Sequence, residues 1–235
     1  MALVYLIRHG QASFGMEHYD KLSEIGFAQS LTLGRFLARC NINFSVFYSG
    51  SKQRQLDTAR CVMKEISEEK EQNHLNTLHE FDEYDAAGLL KRYFEREDGA
   101  GSPPMERIRQ ALKDPNNFFI IFQKAVWSWF SGDLVGEGLE SRLQFRERVL
   151  SGLARISTDL GDHDPCAVFT SGGVIAVVMG HALSLSDEET YDLAWRIRNA
   201  SVSVFSEHRG HLKLLSFNSV AHFEVSDNPD LITYR

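Results

Sequence analysis

The stretch Leu3-Val4-Tyr5-Leu6-Ile7-Arg8-His9-Gly10 decides the architecture. Five consecutive apolar residues, two of them β-branched, predict a short strand buried on both faces, the pattern of a parallel sheet with helices on either side. The run ends abruptly on Arg8, His9 and Gly10. In open α/β sheets, ligands bind just beyond the carboxyl ends of strands, so an arginine and a histidine at this position are candidates for an anion site. Gly10 is expected to let the backbone turn directly after them. An ordinary strand end followed by a turn explains the three residues equally well.

Outward from this strand, the chain alternates. Asp20-Lys21-Leu22-Ser23 leads into a helix for which Ser23 is a good N-cap, with Phe27, Leu31, Leu33 and Leu37 recurring at helical spacing. Phe44-Ser45-Val46-Phe47-Tyr48-Ser49 reads as a second strand, and strand–helix–strand order favours a parallel sheet. Next come Ser49-Gly50-Ser51-Lys52-Gln53-Arg54 and Thr58-Ala59. Arg54 falls near a helix start, where the dipole favours an anion, but an exposed helix arginine fits the same residues. A third strand over 75–78 runs into His79-Glu80-Phe81-Asp82-Glu83-Tyr84-Asp85, and a solvated acidic loop describes Asp82, Glu83 and Asp85 adequately.

Residues 86–136 predict helices over 89–97 and 105–112, a turn over 99–104 and an aromatic run over 118–130 that contains Trp127 and Trp129. Such a run is more often core than recognition surface. A long amphipathic helix is expected over 139–160. A buried strand over 165–170 follows, ending at Ser171-Gly172-Gly173 before a helix over 174–183. Segments 201–206 and 212–217 read as a hairpin with Gly210 in its turn.

Taken together, Arg8-His9-Gly10-Gln11-Ala12-Ser13-Phe14-Gly15, Tyr19-Asp20, Leu22-Ser23 and Arg54 with Thr58-Ala59 give a sequence that resembles the histidine phosphatase superfamily (phosphoglycerate mutase-like). The resemblance implies an α/β fold, a mostly parallel sheet flanked by helices. It also implies a single domain over 1–235 with a helical insertion at about 86–136. His9 would be the nucleophile that carries the phosphoryl group, with Arg8 and Arg54 binding phosphate. Glu80, in the Leu78-His79-Glu80 context, would be the catalytic acid; choosing it over Asp82 rests on the resemblance.

Two departures stand out. The superfamily's second histidine is replaced by Ser171, which can donate one hydrogen bond to phosphate but carries no charge. A histidine at 171 is expected to supply a charge-assisted donor and so to raise turnover or leave it unchanged. The branch that the chain resembles carries similar Thr-Ser-Gly-Gly sequences. The polar residues that mutases place after the nucleophile motif are here Ala12 and Gly15, which argues against a glycolytic mutase.

Composition bounds the remaining possibilities. The chain has 235 residues, 43% hydrophobic and 24% charged, with a formal net charge of −7, which weighs against nucleic acid as a partner. A small phosphorylated ligand is still compatible, because a few focused cations outweigh net charge. Cys40, Cys61 and Cys166 are sparse and unpaired in spacing, as in a cytoplasmic protein with reduced thiols. No charged leader precedes the first strand, and no apolar run is long enough to span a bilayer, so neither secretion nor a membrane partner is expected. His208 and His211 read as a solvated turn, and no metal site or cofactor is expected. The resulting expectation is a metal-independent phosphatase acting on a small phosphomonoester through a phosphohistidine. The alternative, motivated by Ser171, is a weak or inactive regulatory module that binds a phosphorylated ligand.

Overall fold

The computed structural model describes residues 2–13, 20–66, 74–97, 103–160, 165–226 and 228–234. Phe14, Gly15 and Tyr19 of the first motif, and most of the turn expected over 99–104, lie outside these residues. The described residues divide into two compact units, 1–83 with 148–235, and 84–147.

The first unit is built on a six-stranded mixed sheet. Its strands are β1 (Ala2–Arg8), β2 (Val46–Ser49), β3 (Leu75–Thr77), β4 (Cys166–Thr170), β5 (Val202–His208) and β6 (His211–Ser219), in the order β3-β2-β4-β1-β5-β6. Four strands run parallel, while β5 and β6 are antiparallel additions at one side. The α/β sheet flanked by helices is thus as the sequence predicts. Leu6, Ile7 and all of β4 are buried, the signature of a strand covered on both faces. The β5–β6 hairpin turns at Arg209 and Gly210, both at positive φ, the conformation a two-residue turn of this kind demands.

Helices α1 (Glu24–Arg39) and α2 (Gln53–Ile66) pack on one another, and Leu33, Leu37, Ala59 and Val62 meet Ile7, Phe47 and Phe169 of the sheet. Ser23 caps α1 as predicted, its hydroxyl accepting from the Gly26 amide at 3.0 Å. Gly10 serves for a different reason from the one expected. Its φ is not positive; instead, a Cβ there would lie 2.5 Å from the carbonyl oxygen of Gly26, so the turn after His9 rests directly on the backbone of α1.

The second unit holds α3 (Ala86–Glu97), α4 (Pro104–Ala111), α5 (Pro115–Phe130) and the start of α6 (Arg142–Asp159). Trp129 is a core residue: it packs against Tyr84 and Phe145, and its indole N–H donates to the Glu140 carbonyl at 2.7 Å. Trp127 is partly exposed.

The first unit is completed by the rest of α6, by α7 (Gly172–Leu183), by α8 (Asp187–Ala194) and by the short α9 (Ala221–Val225). Sequence periodicity overlooked α8, although Ser186 and Glu189 form a reciprocal capping box at its start. Among the described residues, no helix is long and apolar enough to cross a membrane.

Candidate active site

The parallel strands β1, β2 and β4 end side by side, because Arg8 pairs with Thr170 and Ser49 with Phe169. The ladder continues one residue further. The His9 amide donates to the Thr170 carbonyl at 2.9 Å and the Gly50 amide to the Phe169 carbonyl at 3.0 Å. This register carries His9, the Gly50–Ser51 corner and Ser171 to one edge of the sheet, the edge where α/β folds bind ligands.

His9 is buried, and its hydrogen bonds fix its tautomer. Nδ1 lies 2.7 Å from the Gly10 carbonyl, which can only accept, so Nδ1 carries the proton. Nε2 lies 3.1 Å from Nε of Arg54, which can only donate, so Nε2 presents its lone pair. Burial, then the charges of Arg54 and Arg8, hold the imidazole well below its ordinary pKa; the Gly10 contact opposes them. A neutral imidazole with an oriented lone pair beside two guanidinium groups is chemically a nucleophile for an anionic centre.

The arginines are positioned by different elements. Arg54 stands in the first turn of α2 and donates from Nη1 to Asp20 at 2.5 Å, while the other oxygen of Asp20 accepts the Gln53 amide at 2.9 Å. Thr58 explains its place in the motif. Its hydroxyl donates to the Arg54 carbonyl and accepts the Gly10 amide, locking α2 to the turn after His9. Arg8 donates from Nη1 to the carbonyls of Ile197 and Tyr234, and a Cβ on Gly172 would lie 3.7 Å from its Nε.

A C-terminal segment supports the same turn. Asn199 donates its amide to the His9 carbonyl, Thr233 donates to Asn199, and Gln29 donates to Thr233 while accepting the Gln11 amide. None of these residues carries a local sequence signal.

The acidic loop is not solvated throughout. Both oxygens of Asp82 bind Ser51, one at its amide and one at its hydroxyl. Arg148 of α6 donates to the carbonyls of His79, Glu80 and Asp82. Glu80 directs its carboxylate to Arg155 at 3.3 Å. Glu83 instead accepts the Gly173 amide at 3.0 Å, at the N-terminus of α7 and two residues from Ser171. The fold therefore brings His9, Arg8, Arg54, Ser171 and Glu83 to one strand-end edge, and pairs Glu80 with α6.

Ser171 is fully buried, and its hydroxyl accepts from Nε2 of Gln55 at 2.8 Å. Among the described residues, no group of three His, Cys, Asp or Glu side chains could hold a metal ion.

A profile of the histidine phosphatase superfamily (branch 1) matches residues 4–112 and 121–220, so the chain belongs to that superfamily. A 2,3-bisphosphoglycerate-dependent phosphoglycerate mutase of Bartonella quintana (strain Toulouse) is 27% identical over 118 residues, 47% of this chain and 57% of the mutase. The match thus spans little more than half of that relative's length.

Two solved structures extend the likeness over nearly the whole chain. The phosphoglycerate mutase from Bacillus anthracis str. Sterne aligns with a TM-score of 0.65 at 18% identity, covering 97% of each chain. A phosphoserine phosphatase mutant from Entamoeba histolytica, solved with phosphoserine, gives a TM-score of 0.64 at 18% identity, covering 94% of this chain and 99% of that one. At these identities the structural likeness establishes the fold.

Proposed function

We propose that the protein is a metal-independent phosphatase that hydrolyses a small phosphomonoester through a phosphohistidine on His9. The observation that carries this reading is the protonation state of His9, whose Nδ1–H is held by the Gly10 carbonyl, so that Nε2 carries the lone pair, which accepts from Arg54 until an anion draws that guanidinium away.

In the first half-reaction, Nε2 attacks phosphorus and the bond to the leaving oxygen breaks. Arg8 and Arg54 spread the charge of the equatorial oxygens, which is the main work of phosphoryl transfer. A carboxylic acid gives a proton to the leaving oxygen, then takes one from the water that releases phosphate from His9. Glu83 is the better candidate for this role, because its carboxylate is held at the Gly173 amide, two residues from Ser171, whereas Glu80 reaches to Arg155 of α6. Ser171 contributes one neutral hydrogen bond.

The test is rapid acid-free quenching of the full chain during turnover of p-nitrophenyl phosphate in chelator. The expected product is an acid-labile, base-stable phosphoenzyme that His9→Ala lacks. Turnover without any such species removes the covalent route. Ser171 in place of a charged histidine motivates the second reading, a regulatory module that binds a phosphorylated ligand. Phosphate binding with no turnover on any monoester favours that module.

A further inference from the structure

We propose that Gln55 is the positioning residue for the proton-donating carboxylate, holding the Glu83 loop and the start of α7 in register. The inference rests on the phosphatase reading above and extends it to a side chain that touches no reacting atom.

Gln55 is fully buried next to Arg54, and its amide is engaged on both sides. Nε2 donates to the Ser171 hydroxyl at 2.8 Å and to the Phe81 carbonyl at 3.1 Å, while Oε1 accepts the Lys52 amide at 3.2 Å. With two acceptors on one end and a donor on the other, its orientation is fixed by chemistry. The space it fills is reserved for it, since a Cβ on Gly50 would lie 2.1 Å from Oε1.

These three contacts join three segments. Phe81 lies two residues before Glu83, and Ser171 lies two residues before Gly173, the amide that Glu83 accepts. One amide therefore holds Glu83 from both sides, through the loop that carries it and through the helix start that receives it. The Thr170 hydroxyl adds a second donor to the Phe81 carbonyl at 2.8 Å. A buried polar hub of this kind is costly to leave unsatisfied, so loss of the amide must rearrange its partners. The hydroxyl of Ser171, accepting from Gln55, also keeps its own proton to donate.

The test uses the full chain and two aryl phosphates with good and poor leaving groups, p-nitrophenyl phosphate and phenyl phosphate. A proton donor matters most for the poor leaving group. Gln55→Met keeps the volume and removes the amide, and it should lower kcat on phenyl phosphate about 10-fold more than on p-nitrophenyl phosphate, a fraction of what a proton donor contributes. Competitive inhibition by inorganic phosphate should change by less than about 3-fold, because the arginines remain in place. Ser171→Ala, a smaller change, should move the ratio in the same direction.

Equal loss on both substrates, or none, overturns the proposal. Should the wild type turn over neither substrate, the phosphatase reading fails, and the crystal structure of Gln55→Met decides the positioning claim separately. Glu83 should then leave the Gly173 amide. Glu83 still bonded there, with Phe81 and Ser171 unmoved, overturns it.

Discussion

Arg54 donates its Nε–H to Nε2 of His9 across 3.1 Å, so in the resting site the cation proposed to bind phosphate covers the lone pair of the proposed nucleophile. The same guanidinium is tethered to Asp20. On the proposed mechanism, an incoming phosphate must therefore take Arg54 from both partners before His9 can attack. On the same reading Asp20, half-exposed, competes with the anion for Arg54 as well as anchoring it.

This arrangement predicts a split effect for Asp20→Asn. Removing the carboxylate relieves competition for Arg54, so KM should fall about 3-fold, while the loosened guanidinium lowers kcat about 10-fold. Steady-state kinetics on p-nitrophenyl phosphate measure both. A raised KM with unchanged kcat contradicts the competitor role.

The protonation of His9 is directly observable. Its pKa lies well below 6.5 because the ring is buried and faces Arg54 and Arg8, so it stays neutral as pH falls through 6.5. Nitrogen-15 NMR should show the Nδ1–H tautomer at pH 6, and Arg54→Met, which removes one of the two charges, should raise the midpoint. Ordinary titration near 6.5 in the wild type refutes the environment described.

His222 predicts a pH effect on stability that is unrelated to the site. It is buried between Phe36 and Phe223, its Nε2 has no hydrogen-bond partner among the described residues, and burial lowers its pKa from 6.5 to about 4. A histidine depressed in the folded state binds its proton more readily when unfolded. Stability is therefore full above pH 6.5, declines as pH falls, and has lost all of this contribution below about 4. At pH 5 the loss is about 2 kcal/mol. Urea denaturation of wild type and His222→Phe at pH 7 and pH 5 measures it, and equal pH sensitivity of the two proteins disproves the assignment.

The two glutamates separate cleanly by mutation. Glu80→Gln removes a half-exposed ion pair worth at most about 1 kcal/mol and should leave turnover within about 3-fold. Glu83→Gln should lower kcat on phenyl phosphate by about 100-fold or more. If the larger loss follows Glu80→Gln, the acid is the one that the family resemblance suggested.

The difference between Glu80 and Glu83 also marks where sequence reading stops. The strand ending on Arg8 and His9, the cap at Ser23 and the turn at Gly210 were legible because each depends on local chemistry within a few residues. Glu80 and Glu83 share one acidic loop, and their directions diverge only because the chain leaves a 3₁₀ turn (His79–Phe81) for extended backbone at Asp82. Gln55 was silent for a related reason. Its partners lie at positions 52, 81 and 171, and only the assembled sheet edge brings them to one amide. Asp20 appeared in the motif without a role, since its two acceptors reach Gln53 and Arg54 across the fold.

The same amide revises what a histidine at position 171 would do. The sequence alone led to the expectation that Ser171→His would supply a charged donor and help, or at worst do nothing. In the structure Ser171 is fully buried with the Gln55 amide 2.8 Å from its hydroxyl, so an imidazole has to enter space that Gln55 already fills. Overpacking of this kind costs roughly 1–3 kcal/mol. Ser171→His should therefore lower both Tm and turnover by itself. Gln55→Ala should also destabilise, by vacating a buried volume and orphaning the Phe81 carbonyl from one of its donors. Combined, the two substitutions exchange a glutamine–serine pair for an alanine–histidine pair of similar bulk. The double variant should be more stable than the sum of the single losses by about 1 kcal/mol or more, the range expected for residues in contact. Denaturant midpoints for the four proteins give that coupling, and phosphate inhibition constants show whether the new imidazole reaches the anion. Additive losses, or a Ser171→His variant as stable as wild type, mean that Gln55 does not hold the place of the missing histidine.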